Sequence, residues 1–83
     1  MIRVAAHAAW EDTDDAVLVM DLRSGDVVRL DGTARTLWLL APGLDREALV
    51  TAAAEAYGAA PDDVRDDVLA WLATMEGLLS DEP

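Results

Sequence analysis

Residues 23–38 read RSGDVVRLDGTARTLW: a tight turn, a short strand and the start of a helix, with almost no spacer between them. Gly25 takes positive φ without steric cost, so Arg23-Ser24-Gly25-Asp26 is turn chemistry. Val27-Val28-Arg29-Leu30 then alternates between two faces, Val28 and Leu30 on one and Val27 and Arg29 on the other. Asp31 ends this strand, and its carboxylate is placed to cap the next helix by accepting from first-turn N–H groups. That helix is predicted over residues 33–41, carrying Ala34, Leu37, Trp38 and Ala41 at helical spacing until Pro42-Gly43 stops it. A strand cut off so abruptly raises the question of what lies along its far edge.

Working outward, Ala16 to Leu22 (AVLVMDL) is rich in β-branched residues and suits a buried strand that returns through the Gly25 turn. Glu11 to Asp15 (EDTDD) is a polar break. The apolar run from Ile2 to Trp10 reads as a first strand. Downstream, Asp45 caps a second helix, and Leu44 is placed to staple onto Leu49. This helix ends at Tyr57, where Gly58 supplies a left-handed C-terminal residue. Pro61 opens a third helix, with Asp62 and Asp63 where the helix dipole favours negative charge. Val64, Val68, Trp71, Leu72 and Met75 form its apolar stripe. Gly77 ends or kinks it, Leu78 and Leu79 fold back onto the core, and the last four residues, SDEP, are expected to fray. The order is three strands, then three helices, an α+β chain.

Eighty-three residues make one domain, expected over residues 1–83. Such a chain buries only about 60% of its unfolded surface. Hydrophobic residues make up 53%, too many for a disordered chain. There is no Phe, so three Trp, Tyr57, Met20, Met75 and the Leu and Val side chains must fill the core. The net charge is −11, with six Arg and no Lys. That argues against nucleic acid, whose phosphates would be repelled, and against anionic membranes. It fits a basic partner or plain solubility. The absence of Cys excludes disulfides and thiol chemistry. No signal peptide is read at Met1-Ile2-Arg3 and no apolar run reaches transmembrane length, so the expected compartment is the cytoplasm.

A catalytic constellation does not emerge. The two serines stand in a tight turn (Ser24) and near the chain end (Ser80), away from any base. His7 falls on the expected first strand as an ordinary strand residue. Asp12-Thr13-Asp14-Asp15 resembles a calcium loop, yet lacks the Gly and distal Glu of the EF-hand pattern. On the third helix, Asp62 and Asp66, and Asp63 and Asp67, lie one turn apart and repel by a few tenths of a kcal/mol. A basic guest docking there and an idle acidic face both stay open. Trp38 and Trp71 fill core stripes, with Trp71 near the edge of its stripe and able to line a groove as well. No metal ligand set, phosphate loop or cofactor motif is present, so neither an enzyme nor a cofactor is expected.

The ordered set from Gly25 onward resembles the PqqD-like family, which includes the RiPP precursor recognition elements and the small leader-binding proteins of lasso-peptide biosynthesis. The matching features are the glycine turn, the strand ending in Leu30-Asp31, and the small-residue helix with Ala34 and Trp38. A helix closing on Tyr57 follows, then the Val64, Val68, Leu72 spacing and Gly77-Leu78. The resemblance covers about the last two-thirds of the chain.

It implies a winged helix-turn-helix-like domain, a three-stranded antiparallel sheet followed by three helices, without catalysis. In the family a precursor leader peptide adds as an extra strand along the third strand, and its side chains enter the cleft against the third helix. Carried onto this chain, the peptide-binding positions are Asp26, Val27, Val28, Arg29 and Leu30, with a pocket walled by Val27 or Val28. One flank of the third helix offers Asp67, Ala70, Trp71 and Thr74; the other offers Arg65, Leu69 and Glu76. The first is favoured, because small residues beside a Trp leave room for the Tyr or Pro that lasso leaders carry. Asp63, Asp66 and Asp67 would then attract Lys near that Tyr. The expected partners are the leader and the leader peptidase and cyclase it is handed to. The free-standing length favours an adaptor over a domain fused to an enzyme. Two alternatives remain: a PqqD-type peptide chaperone serving a radical enzyme, and a winged-helix DNA-binding regulator. The regulator has against it the eight acidic and two basic residues on the second and third helices.

Overall fold

A computed structural model describes residues 1–81. Its elements are β1 (Ile2–Val4), β2 (Ala8–Asp12), β3 (Ala16–Asp21), β4 (Val27–Asp31), α1 (Gly32–Leu40), α2 (Arg46–Tyr57), α3 (Pro61–Thr74) and β5 (Leu79–Asp81). β2, β3 and β4 form the expected three-stranded antiparallel sheet, with β3 in the middle. Cross-strand partners share a face. Trp10, Val17, Val19, Val28 and Leu30 therefore point to the helices, while Leu18, Met20, Val27 and Arg29 point outward. The alternation read for residues 27–30 holds in this register.

Both hairpins close through residues that tolerate a left-handed backbone: Asp14 at φ 71° between β2 and β3, and Gly25 at φ 80° between β3 and β4. The Asp12–Asp15 stretch is spent on its own turn. The Asp12 carboxylate accepts from the Asp14 N–H at 3.1 Å, and Thr13 bonds Ala16. Asp12 also receives a forked bond from Arg35 of α1 at 3.0 and 2.8 Å, which ties the β2 end to the first helix.

The core sits between the inner sheet face and the helices. Val17, Val19, Trp38, Leu49, Val50 and Ile2 are its largest fully buried side chains. α1 packs on β3, β4 and α2, and α2 packs on α3. Trp10 meets Trp38 edge to face, ring centres 6.0 Å apart. As expected, Asp45 caps α2 by accepting from Ala48 N–H at 2.7 Å, and Gly58 closes it at φ 65°. Pro61 opens α3, and Asp62 and Asp63 occupy its first turn.

Three local expectations are corrected. Ile2 to Trp10 is two strands, not one. A turn at residues 5–7 breaks it, and His7 lies in that turn, its Nε2 2.5 Å from the Gly77 carbonyl oxygen. Second, Ser80 and Asp81 are ordered in β5, which pairs antiparallel with β1; Glu82 and Pro83 lie outside the described residues. Asp81 is held there by the N-terminal ammonium at 3.1 Å and by Arg46 at 2.9 Å, which together keep its carboxyl below the usual range. Third, Asp31 precedes α1 without capping it. Its carboxylate instead accepts from Arg29 Nε at 3.4 Å, because as the last residue of β4 it lies two positions from Arg29 on the same face.

Candidate functional site

β4 is an edge strand. Its partner is β3, and among the described residues nothing pairs with its far side. In an antiparallel ladder, residues alternate between bonding one neighbour and the other. Leu22 N–H bonds His7 O and Asp21 N–H bonds Asp26 O, which sets the phase of both ladders. Even-numbered residues of β3 therefore serve β2, and odd-numbered ones serve β4. It follows that Val28 and Leu30 spend their backbone groups on β3, whereas Val27 and Arg29 direct N–H and C=O to the open side. An exposed edge of this kind is a template for another strand, which proteins normally cover or blunt.

The side chains flanking this edge differ by face. Leu30 is buried against the helices, while Val28, on the same face, stays 38% exposed. Val27 and Arg29 lie on the outer face and are exposed. Of the two candidate wall residues, Val28 is thus the one directed at the helix layer. Asp26 stands in the turn, its N–H bonded to Ser24 Oγ and its carbonyl accepting from Asp21.

On α3, Val68 is buried, and Val64, Trp71 and Leu72 pack against the core beside it. The two flanks have different surroundings. Arg65 bonds Glu47 of α2 and Asp62, and these carboxylates raise its pKa further above the ordinary arginine value. Leu69, Leu72, Ala73 and Glu76 line a cavity of about 470 Å³ shared with Ile2, Arg46 and β5. The opposite flank carries exposed Asp63, Asp66, Asp67, Ala70 and Thr74 around half-buried Trp71. Thr74 Oγ1 donates to the Ala70 carbonyl at 3.0 Å, and the indole N–H of Trp71 is buried without a hydrogen-bond partner among the described residues.

The sequence-predicted residues therefore form two groups, the β4 strip from Asp26 to Leu30 and the α3 strip from Asp63 to Thr74. The elements packed most closely on each are different: β3 and α1 on β4, α2 on α3. Two features escaped sequence reasoning. Trp10 flanks the inner sheet face at 44% exposure, a position its alternation with Ala8 and Asp12 would have revealed. The outer face carries a second cavity of about 400 Å³ lined by Ala9, Glu11, Leu18, Met20 and Val27, with Trp10, the β2 residue between Ala9 and Glu11, also on its wall. Among the described residues no cluster of His, Cys, Asp or Glu is arranged to hold a metal, and no helix is long and apolar enough to cross a membrane.

Among solved structures, the chain is similar to TbiB1 in complex with the TbiA(beta) leader peptide, with a TM-score of 0.85 at 23% identity over 98% of each chain. That likeness is one of fold. No curated protein matches the chain. The family model described as coenzyme PQQ synthesis protein D (PqqD) matches residues 16–78, from the first residue of β3 through α3, and so the chain belongs to the PqqD family.

Proposed function

We propose that this protein is a non-catalytic adaptor, a single domain over residues 1–83. On this reading it binds the leader of a ribosomal precursor peptide by adding it as a strand to β4. It then delivers the precursor to a leader peptidase and a cyclase of lasso-peptide biosynthesis in the cytoplasm. The observation that carries this reading is the open edge of β4, with the backbone groups of Val27 and Arg29 unspent beside a half-covered Val28. The similarity to TbiB1, whose structure contains a leader peptide, supports it.

Magnitudes indicate which contacts matter. A handful of backbone hydrogen bonds contributes about 1 kcal/mol each, net. Association costs roughly 4–15 kcal/mol, more for a guest that is disordered beforehand. Burying about 200 Å² of apolar guest surface contributes on the order of 5 kcal/mol. Backbone pairing alone is therefore insufficient, and specificity lies in side-chain seats: Val28 on the strand, and Asp67, Ala70, Trp71 and Thr74 on the helix. Asp63, Asp66 and Asp67 supply attraction for a basic guest residue. The test is a fluorescence titration with the precursor encoded beside this protein, comparing its leader with its core peptide. Leader binding with no core binding is expected; equal affinity for both, or none for either, overturns the proposal.

A second reading, a peptide chaperone presenting its substrate to a radical enzyme, is favoured by the match to the coenzyme PQQ synthesis protein D model. It uses the same edge and differs in the enzyme served. Retention of the chain by a lasso-type cyclase or by a radical enzyme, each loaded with its own precursor, separates the two.

A further inference from the structure

Backbone pairing along β4 is indifferent to sequence, and strands without a marked face slip in register. The outer face of β4 carries such a mark. Val27, Arg29 and Asp31 stand on it in line, at every second position. Arg29 and Asp31 are joined by one long contact of 3.4 Å, with side chains 59% and 69% exposed, so both charges remain open to a third partner. Arg29 is the one cation on this strand, in a protein of net charge −11. Val27, 57% exposed, lies opposite Met20 and continues the apolar outer-face strip of Ala9, Leu18 and Met20 to the very edge of the sheet.

We propose that this row reads the guest strand as a charge pattern: basic, acidic, apolar at alternate positions from its N- to its C-terminus, set against Asp31, Arg29 and Val27. The inference rests on β4 being the docking edge. A guest residue directly opposite a β4 residue shares its face, and opposite charges so placed attract while like charges repel. Both pairings within the sheet are antiparallel, the more stable ladder, so an antiparallel guest meets Asp31 first and Val27 last. A slip of two residues keeps every side chain on its face but moves the guest's acid against Asp31 or against Val27. The row thus selects register and direction, which backbone hydrogen bonds do not.

The experiment uses the full chain and the precursor leader, with a Lys-x-Glu pair and its Glu-x-Lys reversal placed at each successive leader position. At one position Lys-x-Glu should bind about 5- to 10-fold more tightly in about 20 mM salt, and the gap should shrink at high salt. The exchanged protein Arg29→Asp with Asp31→Arg should invert that preference. The neutral variant Arg29→Ser with Asp31→Ser should abolish it, with circular dichroism confirming that both fold. No position with an order preference, or a preference of unchanged sign in the exchanged protein, overturns the row while leaving strand addition intact. A leader that fails to bind the unmodified protein removes strand addition, and the row falls with it.

Discussion

Val19 and Val28 stand directly opposite each other on the helix side of the sheet, yet Val19 is wholly buried and Val28 is 38% exposed. The helices cover the central strand and the Leu30 end of the edge strand β4, but leave its Val28 end partly open. An apolar side chain is thereby left half-covered next to unspent backbone groups, which is what a guest strand needs: pairing on one side and a seat beneath.

The two valines should respond oppositely to substitution. Val28→Asp should lower leader affinity on the order of 10-fold, since it places a charge where guest apolar surface would be buried, with little change in the unfolding midpoint. Val19→Ala should destabilise the fold by about 2 kcal/mol through the space it leaves in the core. Fluorescence titration and chemical denaturation check the pair.

Trp38 is completely buried and meets Trp10 edge to face at 6.0 Å. Trp38→Ala should cost about 3–5 kcal/mol, a large share of the stability of so small a chain. Trp10→Ala should remove about 0.5–1.5 kcal/mol of ring–ring interaction beyond its lost burial and leave a folded protein. Denaturation of the two single variants and the double variant measures the coupling.

The Arg35 guanidinium, bonded to Asp12, holds that carboxyl below its ordinary value of 3.8. A carboxyl depressed in the folded state stabilises the fold above its unfolded pKa and ceases to do so as pH falls through the folded value. The protein should therefore lose stability below pH 3.8 as this link between β2 and α1 is protonated. Asp12→Asn should be less stable at neutral pH and show a shallower fall on the acid side. Melting temperature measured across the acid range checks both.

Asp67 stands exposed on the α3 flank beside Trp71, one turn from Asp63. If that flank attracts a basic leader residue, Asp67→Lys should weaken binding about fivefold at low ionic strength, with the difference largely gone near 1 M salt. An unchanged affinity at low salt would remove the electrostatic part of the site.

Where the determinants were local, they could be read from residue order. Asp45, Gly58 and Pro61 end their helices as their types dictate, because a cap, a left-handed residue and a missing N–H each act within one turn. The β3–β4 hairpin follows from Gly25 and from the apolar runs on either side. Asp31 shows the limit. Its type suits a cap, but its side chain found Arg29 two residues back along the strand. The uninterrupted apolar run from Ile2 to Trp10 concealed a break, because the turn at residues 5–7 is stabilised by distant partners: His7 with Gly77, and Ala5 with Leu78.

The chain's own sequence determined the succession of elements from β3 through α3, the sidedness of residues 27–30 and an acidic surface unsuited to phosphates. These depend on periodicity and composition, which need no knowledge of distant neighbours. Tertiary structure alone decided that β4 is an edge, that Val28 is left half-covered while Val19 is not, and that β5 returns to hold β1. Each of these depends on which segments, far apart in the chain, come to lie against one another.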